Sequence, residues 1–575
     1  MRRTKVAVSG IALLAAAAMV LTACGSSTGS GDATSGASDT SQSSSSEAPA
    51  QSTEGGQSSE SSSSAAPSEG AGASTAIIKV NGSEPENKLI PTNTNEVGGG
   101  KILDSIFAGL AYYDGSGKLV NDLADSITVD DPTDLTVKLK GDSKFTNGQP
   151  VTADSFIKAW QYGALFSHKQ LNQSWFADIE GFDAEKDSEL TGLKKVDDNT
   201  FTIKLNAPVA NDFAQRLGYS AFYPLPDVAF DDMDAFGENP IGNGPYMLKG
   251  DGAWQHDVQI DLVTNPDYNG GRKAANGGLT IVFYASQDAA YSDLLSNNLD
   301  VDDAVPASAF ATFEQDLGDR AVNQPAAIFQ SFTLPKDLAH FTGEEGVLRR
   351  QALSMAIDRD QITKVIFNGT RTPASDFTSP VIDGWSDSLP GADVLKFDAA
   401  KAKDLWAQAD AISKWSGTFE IAYNADGGHQ PWVDAVANSL KNTLGIDAAG
   451  KPYVDFATLR KDVNARSIKT AFRTGWQADY PSQYNFLQPL YGTNASSNDS
   501  DYSNPAFDKL LADGASASDA AAATADYAKA QELLLKDLPS IPLWYSNVTG
   551  GYAEGVSNVT FGWNSVPLYY QITKG

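Results

Sequence analysis

The residue types that most often perform covalent chemistry are scarce in this chain, and no motif groups them. The 575 residues contain a single cysteine, Cys24, and four histidines, His168, His256, His340 and His429. The sequence has no Gly-x-Ser-x-Gly elbow, no His-Glu-x-x-His motif and no phosphate loop of the Gly-x-x-x-x-Gly-Lys-Ser/Thr type. We therefore expect a protein that is not an enzyme, with no cofactor and no metal site.

Two glycine-rich segments resemble phosphate-binding loops only in composition. Gly98-Gly99-Gly100-Lys101 lacks the spacing of a phosphate loop and is predicted to be a loop before a helix. In Gly242-Asn243-Gly244-Pro245, the proline removes a backbone N–H group that a bound phosphate would need. The acidic pairs Asp231-Asp232 and Asp302-Asp303 are interpreted as solvated surface.

Cys24 suggests another kind of chemistry, because it ends a segment with the features of a secretory leader. A positively charged start precedes an apolar stretch over 6–20, which is too short to span a membrane. Leu21-Thr22-Ala23-Cys24 resembles the lipobox of bacterial lipoproteins, in which the cysteine is acylated. The sequence thus predicts a signal peptide over 1–23 and lipidation of Cys24. The alternative is an ordinary secretory signal followed by an incidental cysteine.

The composition of the segment after Cys24 predicts a disordered tether between the lipid anchor and the folded part of the protein. Residues 24–75 are almost entirely Ser, Gly, Ala, Thr, Gln and Pro with scattered acids, too little apolar surface to offset the entropy of ordering. A flexible chain of about 50 residues has an end-to-end distance of roughly 40 Å, so the segment is predicted to be a disordered tether. Such a reach suits a thick cell wall, which favours anchoring on the extracellular face of a Gram-positive cell.

The remaining chain, from residue 76, is long enough for two or three packed lobes. The formal net charge of the whole chain is −30, which argues against nucleic-acid partners and binding to anionic membranes. With one cysteine, the chain cannot form an internal disulfide, so its stability must come from the core.

Apolar periodicity indicates a mixed α/β fold. The strands predicted from alternating apolar residues are 135–139, 201–205 and 279–283. Thr152 is predicted to cap a helix that carries Phe156 and Trp160 on one face. Further helices are expected over 348–355 and from about Asp526 to Leu538.

Several short motifs occur in a characteristic order. FTNGQPVTADSF at 145–156 is similar to a "DGxPVTAxDF" segment, PIGNGPY at 240–246 to a "PVGTGPY" turn, and RQALSMAIDR at 350–359 to an "RxALxxAIDR" helix. The other matching segments are 81–85, 106–110, 475–480, 485–487 and 502–508. Together they resemble the family 5 solute-binding proteins of ABC importers, the oligopeptide- and dipeptide-binding proteins, over nearly all of residues 77–575.

This resemblance implies an α/β fold of the large cluster C type. That fold is a two-lobed, periplasmic-binding-protein-like clamp with an extra third domain, which encloses its ligand by hinge closure. By analogy, lobe I comprises 76–115, 235–325 and 545–575, the extra domain II comprises 116–234, and lobe II comprises 326–544.

The resemblance also implies a peptide site near Asp479. A site that accepts many peptide sequences must pair with their constant groups, which are the backbone, the ammonium and the carboxylate. Residues 473–478 are predicted to form a strand that pairs with an extended peptide, and Gly475 would allow close approach of the two backbones. Asp479 is expected opposite the α-ammonium of the peptide. The alternative for Asp479 is a helix cap or a turn residue ahead of Pro481.

The other expected contacts are with the ligand carboxylate and side chains. Arg473 and His429 fall where peptide-binding relatives contact the carboxylate, and the arginine fork suits that group best. The alternatives are a structural ion pair for Arg473 and a position at the start of a helix for His429. Trp476 and Trp175 are expected to line side-chain pockets, although a buried tryptophan is more often part of the core. The full predicted substrate-binding set is Asp479, Arg473, Gly475, Trp476, Gln477, His429, Asn95, Glu96, Val97, Arg466 and Trp175.

The favoured function is that of a monomeric, lipid-anchored extracellular receptor that delivers short peptides to an ABC permease. Relatives with the same fold bind nickel complexes, haem, sugars or opines, so an oligosaccharide or a haem or metal complex is the alternative cargo. Asp479 favours peptides, because a neutral sugar would leave its carboxylate unpaired. A surface adhesin with the same anchor is a more distant alternative.

Overall fold

The computed structural model describes residues 75–454, 456–495 and 497–575. The predicted signal peptide, Cys24 and the predicted tether up to residue 74 lie outside the described residues. The lipidation of Cys24 therefore stays a prediction. Among the residues that the structure describes, no helix combines the length and the apolar character needed to cross a bilayer.

The described chain is a mixed α/β protein, as predicted. Its strands are β1 (Ile77–Gly82), β2 (Ala111–Tyr113), β3 (Leu119–Asn121), β4 (Ala124–Asp131), β5 (Asp134–Leu139), β6 (Leu193–Asp197), β7 (Thr200–Lys204), β8 (Tyr246–Leu248), β9 (Trp254–Gln255), β10 (Gln259–Thr264), β11 (Gly278–Phe283), β12 (Val301–Asp302), β13 (Ala321–Thr333), β14 (Arg371–Pro373), β15 (Thr418–Asn424), β16 (Asp447–Tyr453), β17 (Ala471–Gln477), β18 (Ser540–Tyr552), β19 (Val556–Ser557) and β20 (Thr573–Lys574).

Helices alternate irregularly with these strands. They are α1 (Val97–Ile106), α2 (Ala153–Ala164), α3 (Ala210–Arg216), α4 (Met233–Glu238), α5 (Gln287–Leu295), α6 (Phe313–Leu317), α7 (Gly343–Met355), α8 (Arg359–Ile366), α9 (Ala399–Ile412), α10 (Gln430–Leu444), α11 (Phe456–Asn464), α12 (Gln483–Tyr491), α13 (Pro505–Ala515) and α14 (Ala520–Asp537).

The largest sheet runs through most of the described chain. Its order is β16-β15-β17-β13-β18-β12-β1-β11-β10-β8, with β14 beside β18 and β9 beside β10. At its centre β1 runs parallel to β11, with Val80 opposite Ile281. Strands in such positions are covered on both faces, and accordingly Val80, Ile281 and Leu279 are buried.

Two long antiparallel strands, β13 and β18, connect two hydrophobic cores. One core is built mainly from residues before 318 and after 547, and the second mainly from residues 327–545. The pairing of β13 with β18 shifts register between Pro325 and Phe329. Both strands therefore pass from one core to the other near this irregularity, which makes it the connection between the two lobes.

A separate four-stranded sheet, β4-β5-β7-β6, lies within residues 124–204. Alternation along β5 buries Leu135 and Val137, and Phe201 of β7 is buried beside them. Helix α2 packs on this sheet, with the Phe156 ring stacked on Phe201 at 5.9 Å between centroids. Thr152 caps α2, because its side chain accepts a hydrogen bond from the backbone of Ser155.

Most of the predicted elements are confirmed, and two helices begin earlier than predicted. The helix expected over 348–355 is α7, which begins at Gly343. The strands predicted at 135–139, 201–205 and 279–283 are β5, β7 and β11. Helix α14 begins at Ala520 rather than near Asp526, because Asp519 caps it by accepting a hydrogen bond from Ala522 N at 2.9 Å.

The interpretation of the glycine run as a loop is wrong. Gly98, Gly99 and Gly100 form the first turn of α1, which Glu96 caps through a hydrogen bond from Gly99 N to Oε1 at 2.8 Å. A Cβ at Gly98 would lie 2.4 Å from Ser83 Oγ, so close packing requires glycine there despite its low helix propensity.

The interpretation of Asp302-Asp303 as solvated surface is also wrong. Asp302 is fully buried in β12, between β1 and β18, and the Asp303 carboxylate lies 2.5 Å from Lys101 Nζ. The lysine supplies the counter-charge that permits burial of Asp303. The three-part division of the chain into lobe I, domain II and lobe II stays a prediction.

Candidate ligand-binding site

Strand β17 presents an open backbone edge. It pairs with β13 as far as Gln477, but with β15 only at its first two residues. Ala478 N–H donates to Ala327 O at 3.0 Å, so alternate residues from here direct their backbone groups toward β13. Gly475 and Gln477 therefore direct theirs to the open side, beyond the last residues that pair with β15. The predicted strand over 473–478 is confirmed, and it offers a row of donors and acceptors.

Gly475 lies in the middle of this edge and is exposed. The nearest atom to a Cβ built there would be Phe329 O, at 3.4 Å, which is an ordinary contact. The fold thus does not itself require glycine at this position. The missing side chain leaves room for a second backbone above the strand.

Asp479 follows the open edge directly. Its N–H donates to Asn485 Oδ1 at 2.9 Å, and Asn485 Nδ2 donates to its Oδ2 at 3.0 Å. Helix α12 is capped by Ser482, so Asp479 is not its cap. Among the described residues, no cationic side chain pairs with the Asp479 carboxylate.

Burial raises the pKa of the Asp479 carboxyl to about 6, and the hydrogen bond from Asn485 opposes this rise. The cause is desolvation, because the ionised form loses water and gains only one side-chain amide. A carboxylate that is costly to ionise alone gains most from a cation brought into contact with it.

Cavity A, of about 680 Å³, contains Asp479 in its wall. We define it by Asn95, Trp175, Tyr219, Trp476, Gln477 and Asp479. The Trp175 ring stacks on Tyr219 at 4.1 Å between centroids and an interplanar angle of 18°. Trp175 is therefore part of the cavity wall, held in place by a second aromatic ring, rather than a residue enclosed in the core.

The arginine in the wall of cavity A already has partners for its charge. Arg216 lies 2.6 Å from Asp178 and 2.6 Å from Asp212, measured between guanidinium nitrogen and carboxylate oxygen. The hydroxyl of Tyr480 donates to Asp212 at 3.3 Å, which fixes the residue next to Asp479. The wall of cavity A thus has an excess of negative charge.

Cavity B, of about 250 Å³, shares Asp479 with cavity A. We define it by Asn95, Glu96, Val97, Asp104, Gln477 and Asp479. The loop 95–97 that was predicted from the sequence thus borders the same space as Asp479. Burial raises the pKa of Glu96, and the hydrogen bonds from the backbone at the start of α1 oppose this rise.

Cavity C, of about 180 Å³, is bordered by both β17 and β13. It is lined by Arg473, Thr474, Gly475, Trp476, Phe456 and Arg460. Arg473 Nε donates to Asn424 Oδ1 at 2.8 Å, and its guanidinium carbon lies 5.0 Å from the centroid of the Phe456 ring. The guanidinium is thereby held in a cavity next to β17.

Two predicted residues lie outside these three cavities in the described structure. Arg466 is ion-paired, 3.0 Å from Asp501 and 3.4 Å from Asp499. His429 directly precedes α10, and its Nδ1 accepts a hydrogen bond from Trp432 Nε1 at 3.1 Å. The structure thus gives both residues local partners and does not bring them to Asp479.

Three residues of the site were not predicted. Asn485 lies in one of the segments that match the family, and Tyr219 and Asp104 belong to segments of ordinary composition. A polar residue six positions after Asp479, at the start of a helix, was the only signal for Asn485. Tyr219 and Asp104 reach the site through tertiary contacts, which leave no local pattern.

The two lobes, the connecting strands and the cavities define a solute-binding protein. The family described as "Bacterial extracellular solute-binding proteins, family 5 Middle" matches residues 118–498. The chain belongs to this family, as the sequence motifs predicted. It is accordingly a binding protein and not an enzyme.

Relatives and solved structures agree with this assignment. The chain is 28% identical over 488 residues to the periplasmic oligopeptide-binding protein OppA of Salmonella typhimurium, covering 82% of this chain and 87% of that protein. It is 27% identical over 472 residues to the periplasmic murein peptide-binding protein MppA of Escherichia coli, covering 78% and 83%.

Two solved structures show the same fold. The murein tripeptide binding protein MppA of Escherichia coli has a TM-score of 0.71 at 22% identity, covering 87% of this chain and 98% of that chain. OppA of Haemophilus influenzae in complex with RPPGFSPFR has a TM-score of 0.70 at 24% identity, covering 87% and 99%.

Proposed function

We propose that this protein is a lipid-anchored extracellular receptor that captures short peptides with a free amino end and delivers them to an ABC permease. The observation that carries the proposal is Asp479: a carboxylate in the wall of two cavities, with no cationic partner among the described residues, directly after an open strand edge. A peptide supplies both an ammonium for this carboxylate and a backbone for that edge.

The backbone of the peptide is recognised by strand addition. Gly475 and Gln477 offer N–H and C=O groups on the side of β17 away from β13. An extended peptide laid along this side pairs through groups that every peptide carries. Sequence-independent affinity follows, because the side chains of the peptide take no part in this pairing.

The two ends of the peptide are recognised by charge. Asp479 takes the α-ammonium, and Arg473 in cavity C takes the carboxylate of a ligand short enough to end there. His429 and Arg466 stay candidates for ligands of other lengths, since reaching them requires a longer peptide or a rearranged loop. Asn95, Glu96 and Val97 close cavity B above the amino end.

The two lobes and the lipid anchor allow the bound peptide to be delivered to the permease. Hinge closure about β13 and β18 would enclose the peptide, and its reversal at the permease would release it. Lipidation of Cys24, followed by the predicted tether over 24–75, keeps the loaded receptor close to the membrane. The relatives named for oligopeptide and murein peptide binding support a peptide as cargo.

Calorimetry with matched peptides tests the proposal. Tri- to pentapeptides with a free amino end should bind, and their N-acetylated forms should bind at least about 30-fold more weakly, since an unpaired buried charge costs 2–5 kcal/mol. Equal binding of both forms would remove Asp479 from its proposed role. If no di- to pentapeptide binds, the peptide proposal fails.

A glycine variant tests the strand-addition step. Gly475→Ala adds a Cβ that meets only ordinary contacts within the protein, so the thermal midpoint should not change. Its peptide affinity should fall about tenfold or more, because the methyl group occupies the space above the strand. Gly575→Ala, at a glycine with open surroundings, is the control and should bind like the unmodified protein. Unchanged affinity of Gly475→Ala would exclude close backbone pairing at this residue.

A further inference from the structure

Cavity B shares part of its wall with a smaller pocket, which the backbone and α-ammonium of a peptide bound at Asp479 would leave empty. Pocket D, of about 100 Å³, is lined by Lys101, Asp104, Tyr113, Tyr223, Arg272 and Tyr569. It shares Lys101, Asp104 and Tyr113 with cavity B. Pocket D therefore adjoins the cavity that contains Asp479.

The lysine in the wall of pocket D is engaged, and so are the terminal nitrogens of the arginine, although Arg272 Nε is buried without a hydrogen-bond partner among the described residues. Lys101 Nζ lies 2.5 Å from the Asp303 carboxylate, with both side chains almost fully buried. Arg272 donates to the backbone oxygens of Asp104 and Phe107, at 2.6 and 2.9 Å, and to the Asp122 carboxylate at 3.4 Å. Asp303 and Asp122 thus compensate these two cations.

Asp104 is the carboxylate in the wall of pocket D that forms no ion pair with Lys101 or Arg272. One of its oxygens accepts a hydrogen bond from the Tyr223 hydroxyl at 2.7 Å, and its other oxygen has no hydrogen-bond partner among the described residues. Burial raises the pKa of Asp104, while Tyr223 and the nearby charge of Arg272 oppose the rise. Asp104 and Asp479 line the same cavity, so a ligand with two cationic groups can contact both.

An unpartnered hydroxyl also points to a ligand in pocket D. Tyr569 is 5% exposed, and its hydroxyl is buried without a hydrogen-bond partner among the described residues. Burial raises the pKa of this phenol, and the charges of Asp303 and Asp104 raise it further. A buried hydroxyl without a partner is costly, and a ligand N–H group would satisfy it.

The size and the lining of pocket D indicate which ligand group it can hold. Pocket D, of about 100 Å³, is smaller than cavities A, B and C, which suits a slender chain rather than a bulky group. Tyr113 and Tyr223 provide aromatic walls for methylene groups. A primary ammonium carries three N–H donors, enough for Asp104 and Tyr569 together.

We propose that pocket D is a specificity pocket for a primary ammonium on an aliphatic stem, so that the protein prefers peptides whose first residue is lysine or a shorter diamino acid. This inference rests on the proposed function, because it takes the α-ammonium at Asp479 as its starting point. Asp104 is then the residue that determines the preference, and Tyr569 supports it with a second hydrogen bond.

Calorimetry on the unmodified protein is the first test. Three peptides are compared: lysine-alanine-alanine, the same peptide with norleucine in place of lysine, and alanine-lysine-alanine. Norleucine keeps the length of the stem and replaces the ammonium by a methyl group. The lysine-first peptide should bind about ten- to a hundredfold more tightly than the norleucine-first peptide, as expected for hydrogen bonds to a charged group. Lysine in second position should bring no such gain.

Variants test whether Asp104 and Tyr569 cause the preference for lysine as the first residue. Asp104→Asn should bring the two affinities within about twofold of each other by weakening only the lysine-first peptide. Asp231→Asn, at an exposed carboxylate outside the cavities, should keep the full preference. Tyr569→Phe removes a hydroxyl that has no partner, so it should fold normally and lower the preference about threefold. This second variant keeps the test decisive if Asp104→Asn does not fold.

The outcomes separate this inference from the proposed function. Equal binding of lysine-first and norleucine-first peptides to the unmodified protein would overturn the specificity pocket and leave the peptide receptor intact. A preference that survives in both Asp104→Asn and Tyr569→Phe would also overturn it. Failure of all three peptides to bind would instead contradict the proposed function.

Discussion

Replacement of Asp479 by asparagine should raise the thermal stability of the ligand-free protein and lower its affinity for peptides. Burial raises the pKa of this carboxyl from its ordinary value of 3.8 to about 6. The folded state therefore binds the Asp479 proton more tightly than the unfolded state does. This tighter binding adds to the free energy of unfolding below about pH 4, and the addition is lost as the pH rises to about 6. Above that pH the ionised carboxylate costs roughly 3 kcal/mol, from 1.36 kcal/mol per pKa unit.

Asparagine removes this cost without changing the shape of the site. Its Oδ1 can still accept the hydrogen bond that Asn485 donates at 3.0 Å. At pH 7 the variant should thus unfold at a higher temperature than the unmodified protein, and the two should converge near pH 4. Its affinity for a peptide with a free amino end should fall by about 2–5 kcal/mol, or 30- to several-thousandfold.

Differential scanning calorimetry across pH 4 to 7 and titration calorimetry at pH 7 check both effects. Asp231→Asn, at an exposed carboxylate, is the control and should change neither quantity. A lower midpoint for Asp479→Asn at pH 7 would show that its carboxylate is compensated by a cation. Unchanged affinity would show that the ligand does not reach it.

Three further predictions concern the pH response, the core and the anchor. Because the pKa of Asp479 is about 6, peptide affinity should be about tenfold lower at pH 5 than at pH 7, and titrations of Asp479→Asn should be nearly independent of pH over this range. Trp160 is fully buried and its Nε1 donates to Phe222 O at 3.0 Å, so Trp160→Ala should lower the free energy of unfolding by about 3–5 kcal/mol in urea titrations. An unchanged urea midpoint would contradict this packing. Cys24→Ala should move the protein from the membrane fraction to the culture medium, and retention in the membrane would exclude the lipid anchor.

Local patterns in the sequence determined much of the fold. Alternating apolar residues placed β5 and β7, because a strand with one buried face repeats every second residue. The same alternation placed β11, although both faces of that strand are covered. The capping residue Thr152 placed the start of α2. The ordered motifs placed the chain in its family and singled out the strand that ends at Asp479. Such features depend only on neighbouring residues, so they can be predicted from the sequence.

Tertiary structure alone decided what surrounds those residues. Lys101 and Asp303 are 202 positions apart and form a buried ion pair, whereas the sequence favoured a surface site for the aspartate. Gly98 packs against Ser83 in the first turn of α1, a contact that the low helix propensity of glycine does not reveal. Cavity B and pocket D unite segments from near residue 95 to residue 569. Cavities and counter-charges depend on distances between remote segments, and periodicity reports only which face of each segment is buried.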